Sequence, residues 1–381
     1  MIDRLFALMH HIVDFGSCLD SLMKNVKGAE IVLLPNGRVV YPRPAINISN
    51  KYFEHLRFLM MVHPDKIQKL HNEIPDYSVD TSSNTFDSSF IAEFGFSYQK
   101  FTLVIQKSIE YSDRINEPVV KIEEDVFKRE VIAEVLNAEE YKFFKKNLVL
   151  SSEQNTSALS SRDFFIQRFN RETQFSTRPW ILLNDKILYS TKIIAESVKI
   201  FHDRLSYGIY RGNSPQMKKF IQGTIDEKGK NFNKRLYDFY TSLNTPNLLL
   251  YSEEKIKPGA RLAGPKDIGD IDLILIRTDT KQIVCLEAKN YYEARDVYSL
   301  VDQNVNTEKH LKKTERRDKW CKENVLQFKK VCSSVDESYS IKTVFLTYNE
   351  PAYRYFEHEE KTYIPLLSAL EIIDTPMLIF E

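Results

Sequence analysis

Two apolar runs joined by a short polar turn constrain this chain more than any other feature. The first is Gly269-Asp270-Ile271-Asp272-Leu273-Ile274-Leu275-Ile276, and the second is Ile283-Val284-Cys285-Leu286-Glu287-Ala288-Lys289. Between them Thr278-Asp279-Thr280-Lys281 is turn-like, so the two runs read as an antiparallel β-hairpin. Each run is rich in branched apolar residues, yet each carries charge at the end remote from the turn. A buried strand is destabilised by charge unless the charge is paired or holds a metal. That conflict between local pattern and chemistry marks a candidate functional site.

The register follows from the turn. A two-residue loop at Asp279-Thr280 pairs Thr278 with Lys281, which sets Asp272 opposite Glu287 and Asp270 opposite Lys289. Side chains alternate along a strand, so Asp270, Asp272, Glu287 and Lys289 share one face. A loop of odd length would break this convergence. Opposed carboxylates repel unless a cation lies between them. Lys289 could neutralise one, and a divalent ion could hold both, with the Ala288 carbonyl as a further oxygen ligand. Such a metal would polarise a phosphoryl oxygen and acidify a bound water, with Lys289 stabilising developing charge. These parts suit phosphodiester hydrolysis.

The two segments resemble the PD-(D/E)xK nuclease superfamily, which includes restriction endonucleases and Holliday-junction resolvases. Gly269-Asp270-Ile271-Asp272 is similar to its G-[DE]-[IV]-D strand and Glu287-Ala288-Lys289 to its E-x-K strand. The resemblance implies Asp272 and Glu287 as ligands of Mg²⁺ or Mn²⁺, Lys289 as the catalytic lysine, and Asp270 as an additional metal-site candidate. The proline-aspartate pair is absent in literal form, since Lys266 separates Pro265 from Asp267. Gln303, fourteen residues after Lys289, stands where several such nucleases carry a supporting glutamine. Superfamily members often add an acid from the first core helix. Here the inward candidates are Asn231 and Asn233, with Glu227 earlier and Asp238 later, so the metal count stays open.

The flanking pattern agrees with an α/β core. Phe232, Leu236, Phe239, Tyr240 and Leu243 form the apolar stripe of a helix that Asn244-Thr245-Pro246 stops. Residues 248–251 read as a short strand, 295–331 as a long polar helix, and 341–348 and 363–367 as later strands. From Gln303 to Lys330 that helix carries nine basic residues against four acidic ones. Lys309, Lys312, Lys313, Arg316 and Arg317 are the candidate nucleic-acid contacts, against the alternative of an ordinary solvated helix. Cys321, Val325, Phe328 and Cys332 fall on one helical face and read as core.

With 381 residues and 43% hydrophobic content, the chain is long enough for two domains. We expect an N-terminal α/β domain over 1–212, for recognition, oligomerisation, regulation or contact with a protein partner. A restriction-endonuclease-like catalytic domain, a mixed central sheet flanked by helices, is expected over 213–381. The N-terminal part shows a hairpin around Asn36-Gly37, a helix over 51–62, a polar spacer over 78–89, helical segments near 125–136, 138–146 and 161–169, and a second hairpin around Asn184-Asp185. A formal net charge of zero means that any nucleic-acid binding must come from local patches. Four cysteines with no CxxC pair speak against a zinc ribbon and for a reducing compartment. No run approaches transmembrane length. The expectation is a cytoplasmic, Mg²⁺-dependent endonuclease acting on DNA rather than RNA, homo-oligomeric, with restriction or anti-phage defence suggested by analogy. The competing expectation is an inactive nuclease-fold module that binds nucleic acid or scaffolds a complex.

Overall fold

The computed structural model describes residues 22, 26–30, 32–37, 39–40, 44–151, 177–294, 297–358 and 360–381. Cys18, His10, His11 and the helix expected over 161–169 lie outside these residues. The chain is mixed α/β and divides into two compact units, one of residues 1–77 with 229–381, the other of residues 78–228. The division expected at 212 is therefore corrected. The apolar side chains of Tyr52, Leu70 and Ile74 are buried in clusters with C-terminal residues, and this long-range burial assigns the first segment to the C-terminal unit.

In chain order the described elements begin with β1 (Val32–Leu33) and β2 (Val39–Val40), then α1 (Pro44–Val62) and α2 (Pro64–Glu73). Helices α3 (Asn84–Phe94) and α4 (Tyr98–Ile115) precede β3 (Val119–Glu123), α5 (Ala138–Leu148), β4 (Val149–Ser151), β5 (Trp180–Leu183), β6 (Lys186–Ser190) and α6 (Thr191–Ser206). Then come α7 (Pro215–Ser242), β7 (Leu248–Lys257), β8 (Leu262–Ala263), β9 (Gly269–Arg277), β10 (Gln282–Lys289), α8 (Val297–Glu323), β11 (Ser340–Thr347) and β12 (Leu366–Ser368). No helix among the described residues is long and apolar enough to cross a membrane.

The unit of residues 78–228 holds a four-stranded sheet in the order β3-β6-β5-β4, antiparallel except for the β4/β5 pair. Its core is aromatic: Phe86, Phe90, Phe127, Phe144 and Trp180 are fully buried. The indole of Trp180 donates to Ser108 Oγ (3.2 Å), which supplies the partner that a buried N–H requires. Asn184 and Asp185 both have positive φ, as the tight β5/β6 turn demands. The polar spacer expected over 78–89 is half helix. Ser83 accepts from the Phe86 N–H (3.2 Å) and starts α3, so its Ser-rich composition is a helix cap rather than a linker.

The other unit is built on a six-stranded mixed sheet in the order β12-β11-β10-β9-β7-β8. On one face, Phe232, Leu236, Phe239 and Tyr240 from α7 join Leu273, Leu275, Val284, Leu286 and Ala288. On the opposite face, Trp320, Cys321, Phe328 and Cys332 join Ile271, Ile274, Ile276, Ile283 and Cys285. Covering of β9 and β10 on both faces explains why their sequences are continuously apolar rather than alternating. The helix expected over 295–331 stops at Glu323 and gives way to a 3₁₀ turn, Val325–Lys330. Strand β7 runs to Lys257, well beyond the four residues expected.

The hairpin register agrees with expectation. Arg277 pairs Gln282, Ile276 pairs Ile283, Ile274 pairs Cys285 and Leu273 pairs Leu286. The loop is longer than two residues, with Lys281 at φ 53, but its length stays even, so the same faces meet.

Candidate active site

Beyond the Leu273–Leu286 rung, the ends of β9 and β10 carry Asp272, Glu287 and Lys289. The three side chains converge. Lys289 Nζ lies 2.8 Å from Glu287 Oε1 and 3.4 Å from Asp272 Oδ2. Glu287 and Asp272 retain only 8% and 11% side-chain exposure, whereas Lys289 keeps 27% and so faces the opening. Burial opposes the ammonium form of Lys289, but Glu287 and Asp272 outweigh it and raise its pKa. Burial and the neighbouring Asp272 carboxylate raise the pKa of Glu287, against the lowering by Lys289 and Arg317.

Asp272 is held from three directions. Its Oδ2 accepts from the Ala288 backbone N–H at 2.8 Å, and its Oδ1 accepts from Asn233 Nδ2 of α7 at 2.9 Å. Lys289 completes the set. The remaining Asn233 oxygen, Oδ1, is buried without a hydrogen-bond partner. Of the core-helix candidates, Asn233 thus reaches the site, while Glu227 and Asp238 are exposed.

Arg317 corrects one expectation. Placed by sequence among the nucleic-acid contacts of a solvated face, it is buried in α8 and donates from Nη2 to Glu287 Oε2 and from Nη1 to the Asp270 carbonyl. The fork spans β9 and β10, and Nη2 also reaches Thr314 Oγ1 (3.3 Å). The signal was available, since Arg317 precedes Cys321 by four residues and shares its buried helical face. Gly269 has φ 105, and a Cβ there would stand 3.3 Å from Arg317 Nη1. A bare backbone at 269 is what lets the guanidinium approach.

The other sequence candidates separate. Asp270 is half-exposed and pairs Lys255 of β7, its carboxylate 3.9 Å from Arg317, so the expected partnership with Lys289 does not form. Lys289 instead takes the two deeper acids, because the paired ladder ends before residue 270. Gln303 is buried and donates to the Tyr292 carbonyl, holding the connection between β10 and α8 rather than either acid. Lys309, Lys312, Lys313 and Arg316 are exposed on α8, with Lys312 in an ion pair with Glu308 (2.7 Å). His358 stacks on Tyr353 with centroids 3.6 Å apart. The described cysteines 285, 321 and 332 are buried free thiols.

A residue pair that sequence reasoning missed lies beside Lys289. His310 Nδ1 is hydrogen-bonded to the Tyr291 hydroxyl at 3.0 Å. Burial, then Lys289, Lys313, Lys309 and Arg317, push its pKa down to about 4. The imidazole is therefore neutral at neutral pH.

Among the described residues no group of three or more His, Cys, Asp or Glu forms a ready metal cage. The chemistry of the donors nonetheless fits a hard cation. Asp272, Glu287, the Ala288 carbonyl and the orphaned Asn233 Oδ1 are all oxygen ligands, the type that Mg²⁺ and Mn²⁺ prefer.

In comparisons with protein-family models, curated proteins and solved structures, nothing matches this chain.

Proposed function

We propose that this protein is a metal-dependent nuclease of the PD-(D/E)xK kind that hydrolyses phosphodiester bonds, with DNA as the foremost substrate. The observation that carries the reading is the meeting of Asp272, Glu287 and Lys289 at one end of the β9/β10 hairpin. Asp272, Glu287, the Ala288 carbonyl and Asn233 would hold Mg²⁺ or Mn²⁺. When bound, the ion supplies a Lewis acid for a phosphoryl oxygen and lowers the pKa of a coordinated water.

The chain's own groups do the rest. Lys289, cationic and partly exposed, stabilises negative charge growing on the phosphorane oxygens and orients the attacking water. The Ala288 N–H and Asn233 Nδ2 fix the rotamer of Asp272, and Arg317 fixes that of Glu287. Exposed Lys309, Lys313 and Arg316 would meet the phosphates of the same strand.

A second reading is favoured by one observation. Lys289 and Arg317 already neutralise Glu287 from both sides, as in a module that binds nucleic acid without cutting it. The two readings part in one assay: supercoiled DNA, linear DNA and RNA are incubated with the full chain in Mg²⁺, Mn²⁺ or EDTA. Metal-dependent cleavage that falls at least about 100-fold in Lys289→Ala supports the nuclease. Binding that survives the substitution, with no cleavage in either metal, supports the module.

A further inference from the structure

One face of α8 carries a polar stripe where burial ordinarily selects apolar residues. Gln303, Thr307, His310, Thr314 and Arg317 recur at i, i+4, i+7, i+11 and i+14, a single line along the helix. All but His310 are buried. Three of the five already have partners that explain them: Gln303 donates to the Tyr292 carbonyl, Thr314 to the His310 carbonyl, and Arg317 to Glu287. Thr307 and His310 remain, midway along the stripe, and they meet at Tyr291.

Tyr291 is held in place. Its ring packs with Leu311 of α8 and Phe345 of β11, and its carbonyl accepts from Asn349 Nδ2 at 2.9 Å. The hydroxyl so placed is 3.0 Å from His310 Nδ1. Thr307 Oγ1 lies beside the same hydroxyl without a well-formed hydrogen bond, in a residue 1% exposed. A buried hydroxyl left without a partner costs roughly 1–3 kcal/mol. The line His310–Tyr291–Thr307 thus ends in an unused acceptor.

The other side of the imidazole is open. His310 is partly exposed, and its Nε2 has no partner among the described residues. Lys309 and Lys313, one residue before and three after it on α8, are exposed and enter no ion pair with a described residue. Burial first, then Lys289, Lys313, Lys309 and Arg317, disfavour the charged ring. Lys289 acts from the end of β10, Tyr291 from the connection that follows, and the other groups from α8. Behind Lys289 and Arg317 stand Asp272 and Glu287, which those two cations already engage.

An oxyanion between Lys309, Lys313 and Nε2 reverses this balance. It offsets the cations, and the ring then accepts a second proton. In that state Nε2–H donates to the oxyanion and Nδ1–H donates to the Tyr291 oxygen. The Tyr291 O–H is released to turn to Thr307 Oγ1, and the unused acceptor is filled.

We propose that Lys309, His310 and Lys313, backed by Tyr291 and Thr307, form a subsite for a phosphate group of a nucleic-acid strand, occupied together with a proton. This rests on the nucleic-acid reading above and deepens it. The strand gains a contact beside Lys289 that tightens as pH falls.

The test uses the full chain in EDTA, with histidine ring nitrogens labelled with ¹⁵N for magnetic resonance, and a short DNA duplex without terminal phosphates. His310→Gln identifies the His310 signals. Saturating duplex is expected to raise the pH at which this ring titrates by about 1–2 pH units. Between pH 7 and pH 5, wild-type affinity should then gain roughly 2–10-fold more than that of His310→Gln. Tyr291→Phe keeps the aromatic ring and removes the hydroxyl, and it should shrink the rise. An unchanged rise in Tyr291→Phe overturns the part given to Tyr291 and Thr307. A rise with inorganic sulfate and none with bound duplex overturns the strand as the ligand. Duplex that binds and leaves His310 titrating as in the free chain overturns the subsite and leaves the nucleic-acid reading intact. No duplex bound at either pH overturns both.

Discussion

Arg317 of α8 donates to Glu287 of β10 inside the protein, with side chains 9% and 8% exposed. The pair ties the long helix to the strand that carries the candidate chemistry. It also covers the carboxylate oxygen that Lys289 does not reach.

Removal of one partner from such a pair strands a buried charge. Arg317→Met is expected to lower unfolding free energy by about 3–5 kcal/mol, measured by urea denaturation in EDTA. The double variant Arg317→Met with Glu287→Gln should lose much less than the sum of the two single changes. Additive losses would show that the two side chains do not interact.

Gly269 matters for the same guanidinium. Gly269→Ala places a methyl 3.3 Å from Arg317 Nη1 at a residue with φ 105. The loss should exceed about 1 kcal/mol, because strain in the left-handed region adds to the contact. In the Arg317→Met background the contact disappears and only the backbone part remains, so a smaller loss is expected there.

The exposed bases of α8 make a prediction about salt. Changing Lys309, Lys313 and Arg316 together to Gln should lower the slope of log binding constant against log salt for duplex DNA by roughly 2–3. Lys312→Gln should change the slope little, because Lys312 is already paired with Glu308 at 2.7 Å. An unchanged slope in the triple variant would move the phosphate contacts off this helix.

His310 makes a prediction about pH. Its pKa is about 4 in the folded chain and near 6.5 when unfolded, so between these values the unfolded state binds more protons. Its contribution to stability is complete above pH 6.5 and is lost as pH falls towards 4. Denaturant unfolding of His310→Gln should show a shallower decline between pH 7 and pH 5 than wild type. Identical pH profiles would show that the folded chain does not depress the pKa of this imidazole.

The β9/β10 hairpin was legible in the sequence because its determinants are local. Side chains alternate with a period of two, the turn is of even length, and apolar residues identify the buried stretch, so Asp272, Glu287 and Lys289 could be placed together. The α7 stripe of Phe232, Leu236, Phe239 and Tyr240 was legible for a similar reason, through its helical period. Arg317 was misplaced because a basic residue in a charged helix reads as solvated until a buried acid is known to face it.

The amino-acid order alone therefore settled that β9 pairs with β10 and that Asp272, Glu287 and Lys289 share one end of that hairpin, since backbone periodicity carries that information between neighbours. Tertiary structure decided the rest: that Arg317 turns inward, that Asn233 holds Asp272, and that Asp76 meets Asn290. It also decided that residues 1–77 belong with 229–381. These are contacts between segments far apart in the chain. They form because apolar faces such as those of Leu70 and Ile74 are buried on the sheet, a choice that local patterning does not encode.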